Sequence, residues 1–299
     1  MFFFFLEPVL IYNWLLILAA VIPAIFLMIK VYQSDRLEPE SPYLLRKMVT
    51  GGIWSAVVAG ILEWIANGVL TSFVSQKDPI YNVIMYFVIV AYAEEGAKYF
   101  FLKRRSWFSR EFNCQYDGVV YAVFVALGFA LWENISYVMI YGFSTALVRA
   151  VTAIPGHACF GVFMGIFYGL ARGYAYLGKN IRSKFFRLLA IVVPAALHGS
   201  YDYVASLNSA DGQWIFLAFI AVLFFISFHL VNKMAKNDKY FQIDRRNYRF
   251  YTLSVSKKSA PASLAGADFF LPKFFLVQFC QVVWRFLVNG VVDPVAKEG

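Results

Sequence analysis

Seven stretches of mostly apolar residues, at 9–31, 48–74, 80–102, 115–142, 149–171, 187–207 and 213–234, dominate this chain. An α-helix needs about 20 such residues to cross a bilayer core. In lipid, only helices and closed barrels satisfy every backbone polar group. The composition agrees: 61% of the 299 residues are hydrophobic and 15% are charged, against roughly 45–50% and 25% in a soluble domain. The expectation is an all-α, polytopic membrane helical bundle with about seven transmembrane helices. The opening MFFFFLEPVL has no basic segment ahead of its apolar run. That run is too long for a signal-peptide core and reads as a retained first span.

Basic residues alternate between the connecting loops. Lys30, Arg36, Arg46 and Lys47 flank the first, Lys103, Arg104, Arg105 and Arg110 lie in the third, and Arg172, Lys179, Arg182, Lys184 and Arg187 in the fifth. Lys233, Lys236, Lys239, Arg245, Arg246 and Arg249 follow the last span, whereas the even-numbered loops hold only Lys77 and Arg149. The positive-inside rule then puts the N-terminus outside and the C-terminus in the cytoplasm. It also accounts for the net charge of +9 without a nucleic-acid partner. Three cysteines, Cys114, Cys159 and Cys280, form no CxxC, which argues against a disulfide framework or a thiolate zinc site. Residues 1–235 read as a membrane-embedded domain and 236–299 as a cytoplasmic basic tail. Within that tail, Gln278, Gln281, Arg285 and Asn289 share one helical face, which predicts an interfacial amphipathic helix at 274–290 rather than an eighth span.

Four polar clusters interrupt the apolar spans: Glu94-Glu95-x-x-Lys98, Glu133-Asn134, His157, and His198-x-x-x-Asp202. An ionisable group at the centre of a spanning helix costs roughly 2.5–3.5 kcal/mol on insertion scales. Small-residue ridges show which way these groups face, because membrane helices approach one another through Gly and Ala. Gly161, Gly165, Gly169 and Gly173 extend the ridge that starts at His157, and Gly118, Ala122, Ala126 and Ala130 lead to Asn134. His198 and Asp202, four apart, share a face. Pro155 predicts a kink just before His157. Counting about 1.5 Å per residue, Glu133, His157 and His198 lie about 12–14 Å from the outer ends of their spans. The Glu94–Glu95 pair lies about 21–23 Å in, and comes level with the others only if its span starts late, tilts or breaks.

These residue types permit water activation. Lys98 can neutralise one carboxylate of the pair while the other accepts a proton from water and returns it to a leaving amine. His157 and His198 can stabilise an oxyanion or hold a metal. Asp202 can orient His198, Glu133 and Asn134 line the same region, and Arg149 sits at the outer start of the fifth span, where it can snorkel to headgroups. Glu63 and His229 lack such company and read as structural. A structural Glu–Lys pair, a metal-dependent hydrolase using the same residues, and a transporter or sensor with a proton relay are the competing readings. The chain has no HExxH and no GxSxG, which disfavours those metalloprotease and serine-hydrolase designs. Asp117 and Asp202 lie at opposite ends of their spans and do not form an aspartyl dyad.

The segments AEEGAKYF at 93–100, QYDGVVYAVFVALGFALWENISY at 115–137, RAVTAIPGH at 149–157 and LHGSYDY at 197–203 together resemble the PrsW intramembrane proteases. That family lies in the wider superfamily of CAAX prenyl endopeptidases and bacteriocin-processing proteins. The motif core spans 93–203, and the tail after 236 matches no family motif. The resemblance implies a glutamate-dependent intramembrane endopeptidase in a bacterial cytoplasmic membrane, without a metal cofactor. Catalysis would fall to Glu94, Glu95, His157 and His198, supported by Lys98, Glu133, Asn134, Arg149 and Asp202. The implied partners are the lipid bilayer and a membrane-protein substrate, an anti-sigma factor cut on the extracytoplasmic side. Of the two glutamates, Glu94 is the expected base and Glu95 its partner.

Overall fold

Ser41-Pro42 shows how local chemistry sets a helix start in this chain. The Ser41 side chain accepts the Leu44 N–H, and Pro42 occupies the first helical position, where its missing N–H leaves nothing unpaired. The computed structural model describes residues 2–241 apart from Asn208, with side chains from residue 13 onward. The predicted helix at 274–290 lies outside the described residues, as does the tail from 242. The described helices are α1 (Phe2–Ser34), α2 (Pro42–Phe73), α3 (Pro79–Val83), α4 (Ala91–Ser106), α5 (Asp117–Tyr141), α6 (Phe143–Val151), α7 (Ala153–Tyr176), α8 (Asn180–Ala205) and α9 (Ala210–Lys236). A π-helical segment, Ile84–Val90, joins α3 to α4 without a break. Among the described residues there is no strand, only one bridge between Cys114 and Tyr240.

Six stretches are long and apolar enough to cross a membrane: 13–34, 42–73, 117–141, 143–176, 180–205 and 210–236. The protein is thus an all-helical, multi-pass membrane protein. The remaining expected span is the continuous helix 79–106, whose α4 half carries Glu94, Glu95, Lys98, Lys103, Arg104 and Arg105.

α5 is the central helix. Every residue from Asp117 to Ala130 is buried, with α7, α2 and α1 packed around it. The α5–α7 contact is made backbone to backbone, as the Gly ridge predicts. A Cβ on Gly118 would stand 2.7 Å from the Gly169 nitrogen, and one on Gly165 would overlap Val119 and Gly118. The ridge ends before Gly173, which faces the Phe241 ring instead. At another close approach, a Cβ on Gly199 of α8 would lie 2.7 Å from the Phe87 ring of the π segment.

One expectation needs correcting. Pro155 does not kink a long fifth span. The break comes at Thr152, between α6 and α7 (φ −116°, ψ −70°), and Pro155 sits in the first turn of α7. A proline costs little in a first turn because the N–H groups there have no intrahelical partner.

The packing makes a direct prediction. Gly118→Val and Gly165→Val insert side chains where helix backbones touch, an overpacking that costs at least about 1–3 kcal/mol. Thermal unfolding in detergent should show both variants strongly destabilised. Gly68→Ala, whose added methyl meets nothing within 4 Å, should unfold like the wild type.

Candidate active site

A π segment, Ile84–Val90, runs directly into the helix that carries Glu94 and Glu95. Its wider i→i+5 winding breaks the regular phase of helix 79–106 just before Ala91. Phe87 of this segment packs against the Gly199 gap beside His198. α4 then delivers three charged side chains into the bundle, with Glu95 and Lys98 fully buried and Glu94 6% exposed.

Lys98 is the hub. Its ammonium lies 3.1 Å from Glu94 Oε2 and 2.8 Å from Glu95 Oε1, and 3.2 Å from His157 Nδ1 on α7. It also lies over the Phe129 ring, 3.8 Å from the centroid, an attractive face for a cation. His198 on α8 closes the other side. Its Nδ1 is 3.0 Å from Glu95 Oε1 and 3.7 Å from Glu94 Oε2, and its Nε2 is 3.4 Å from Asp202 Oδ2. Phe160 stacks on the His198 ring at 4.8 Å, which fixes the ring plane.

A second network orients His157. Its Nε2 is 2.7 Å from Glu133 Oε2, and Arg149 Nη2 is 2.9 Å from the same oxygen. Arg149 Nε donates to Asn134 Oδ1 at 2.9 Å, and Asn134 Nδ2 donates to the Ala20 carbonyl at 3.1 Å. A carboxylate at Nε2 and an ammonium at Nδ1 assign the proton of a neutral His157 to Nε2, so that Nδ1 accepts from Lys98. Arg149 therefore turns inward to this network, across the Tyr137 ring, rather than snorkelling to headgroups.

The groups border a cavity of about 600 Å³, walled by α2, the π segment, α4, α5, α6, α7 and α8. Glu94, Glu133, Arg149, His157, His198 and Asp202 all line it, whereas Glu95 does not. The structure thus brings all nine expected site residues into one connected set. Asp117 is elsewhere, at the far end of α5. Cys159 packs with Phe160 and Leu223, and His229 lies on an exposed face of α9.

Glu63, expected to be structural for want of company, has neighbours that its own helix does not show. It lines the cavity from α2 and makes no ion pair or hydrogen bond among the described residues. A signal was present: Ala56, Gly60 and Glu63 recur at helical spacing, and Ala56 and Gly60 line the cavity too. No second ionisable residue lies near Glu63 on α2.

The donor set also suits a metal. One ligand atom from each of Glu94, Glu95, His157 and His198 lies within 4.8 Å of the other three, and carboxylate oxygens with imidazole nitrogens are ordinary zinc ligands. Glu95 Oε2 is a buried oxygen with no hydrogen-bond partner. The Lys98 ammonium is the group such an ion would have to displace.

A multi-pass helical bundle with an acid–lysine–histidine centre on the wall of an internal cavity has the architecture of an intramembrane enzyme. Comparison with known proteins makes the class specific. Residues 40–231 match the family described as PrsW family intramembrane metalloprotease. The chain is 30% identical over 222 residues to Protease PrsW of Bacillus subtilis (strain 168), covering 73% of this chain and 94% of the relative. It is 27% identical over 228 residues to Protease PrsW of Clostridioides difficile (strain 630), covering 75% and 93%. This chain belongs to the PrsW family of intramembrane proteases. No solved structure matches it.

Removing Lys98 tests the hub. Lys98→Met leaves two buried carboxylates without their cation and should destabilise the protein by about 3–5 kcal/mol, read from unfolding in detergent. Adding Glu95→Gln removes one of the stranded charges and should restore part of that loss. Full additivity of the two substitutions would mean that the groups are not coupled.

Proposed function

We propose that this protein is an intramembrane endopeptidase in which Glu94 activates water. The observation that carries the reading is the division of labour in the pair. Glu94 faces the cavity beside His198, while Glu95 is buried behind it, held by Lys98 and His198. Water in the cavity would be deprotonated by Glu94 as its oxygen attacks the scissile carbonyl carbon. The carbonyl π electrons move to oxygen, and the resulting oxyanion is met by the Nε2–H of a His198 protonated on both ring nitrogens, whose Nδ1 is held by Glu95 at 3.0 Å and whose Nε2 lies 3.4 Å from Asp202. Collapse breaks the C–N bond, and the proton on Glu94 passes to the leaving amine. Lys98 balances the carboxylate charge throughout. Glu133 and Arg149 hold His157, which keeps Lys98 in place.

The substrate proposed is a membrane protein with one spanning helix, specifically an anti-sigma factor cut on the extracytoplasmic side. The position of the site supports that side. Glu133 lies 16 residues along α5 from Asp117, about 24 Å, so the cavity is in the half of the bundle remote from the basic loops.

A metal-assisted form of the same reaction is favoured by one observation, the convergence of four donor atoms with a free Glu95 oxygen. Glu94, Glu95, His157 and His198 would hold the ion, which would supply Lewis-acid activation.

The test is cleavage of a single-span anti-sigma factor by purified, reconstituted protein. Glu94→Gln, His157→Ala and His198→Ala should each lower kcat/KM by at least about 100-fold, the scale of losing an acid–base or oxyanion group. Asp202→Asn should retain most activity, since the amide can still accept from His198. Undiminished cleavage by Glu94→Gln would sink the glutamate mechanism. Loss of activity on chelation, regained with zinc or manganese, would select the metal-assisted form.

A further inference from the structure

At the end of the bundle away from the cavity, three separate stretches of chain bring four carboxylates together. Asp35 and Glu40 lie between α1 and α2, Asp117 is the first residue of α5, and Asp238 follows α9. Ligand oxygens of Asp35, Glu40 and Asp117 lie within 4.8 Å of one another, and so do those of Asp117 and Asp238 with Cys114 Sγ. Three of these acids are clamped by backbone N–H groups through one oxygen only. Asp117 Oδ2 accepts from Asn113 at 2.9 Å and Cys114 at 2.7 Å. Asp238 Oδ1 accepts from Tyr116 at 3.0 Å, and Asp35 Oδ1 from Leu37 at 3.3 Å.

The second oxygens are left over. Asp35 Oδ2 and Asp238 Oδ2 are buried and have no partner. Glu40 is only 4% exposed, and its carboxylate makes no ion pair or hydrogen bond among the described residues. Beside Glu40, the fully buried Tyr121 hydroxyl is also unpartnered, short of hydrogen-bond geometry. No Lys or Arg pairs with any of the four acids among the described residues. Buried like charges this close are costly unless something neutralises them.

We infer that Asp35, Glu40, Asp117 and Asp238 form a binding site for a hard divalent cation, Ca²⁺ or Mg²⁺. Oxygen donors of net negative charge, preset by backbone hydrogen bonds, are what such ions bind. Cys114 does not make the site a soft one, because its thiol donates to Asn113 Oδ1 at 3.1 Å. The ion would fasten the α1–α2 loop, the start of α5 and the end of α9 to one point. The site is distinct from the four intramembrane donors and independent of how the cavity works.

The experiment uses the full chain in detergent, stripped of metal, with CaCl₂ or MgCl₂ titrated against NaCl of equal ionic strength. Equilibrium dialysis should find a single ion per chain, and Tm should rise by on the order of 5 °C at saturation. Glu40→Gln and Asp35→Asn should each weaken binding by roughly tenfold or more, since each removes a charged ligand. The double variant His157→Ala/His198→Ala, which dismantles the intramembrane donor set, should bind the ion as the wild type does. No binding of either ion up to about 10 mM, beyond the weak end of oxygen-ligand sites, would overturn the inference. So would unchanged affinity in both carboxamide variants, or loss of the ion in the histidine double variant. If a carboxamide variant fails to fold, the wild-type stoichiometry and the histidine double variant still decide.

Discussion

Lys98 is the group on which the inner structure depends. An ammonium at zero exposure loses its hydration, a penalty of several kcal/mol that only close, well-oriented opposite charge offsets. Two carboxylates from its own helix and the Nδ1 of His157 supply that environment. Because Glu95 also touches His198, satisfying one buried lysine fastens α4 to α7 and α8 together. The same contacts hold Glu94 at the cavity wall, so neutralising the buried ammonium also fixes a carboxylate where the cavity begins.

That arrangement needs α4 at a particular rotation about its axis. The π segment and the missing side chain of Gly199 act together here. One resets the phase of the helix, and the other lets Phe87 come close enough to α8 to fix the result. Irregular winding just before a functional cluster is a recurring use of π geometry.

Much of this was legible in the sequence, and the limits have physical causes. The spans and the inward faces of His157 and Asn134 followed from apolar length and from ridges of Gly and Ala, because backbone approach in lipid depends on small residues. The phase of α4 was not legible, since a π segment has no composition that distinguishes IMYFVIV from an ordinary apolar turn. Arg149 was open to a snorkelling role because its partners, Glu133 and Asn134, lie on another helix. The same holds for Glu63: its isolation on α2 says nothing about the helices that α2 faces. Pro155 was read as a kink because a continuous 149–171 span was assumed. Once the break falls at Thr152, the same proline is a first-turn residue without a missing bond.

The charges in the cavity have a further consequence. Glu94 and Glu95 share Lys98, Glu133 has Arg149 and His157, and Asp202 has His198. Each of these carboxylates is therefore held in place and partly neutralised by a basic group of the chain itself. Glu63 has no such group among the described residues, yet it shares the cavity wall with Glu94 and Glu133. A polypeptide segment entering the cavity meets one carboxylate that the fold has not already engaged. Such a group interacts with whatever arrives more strongly than a paired one does, because it has no internal contact to give up. The paired carboxylates are fixed by the fold, and the unpaired one is placed to respond to the charge of what is brought to the wall.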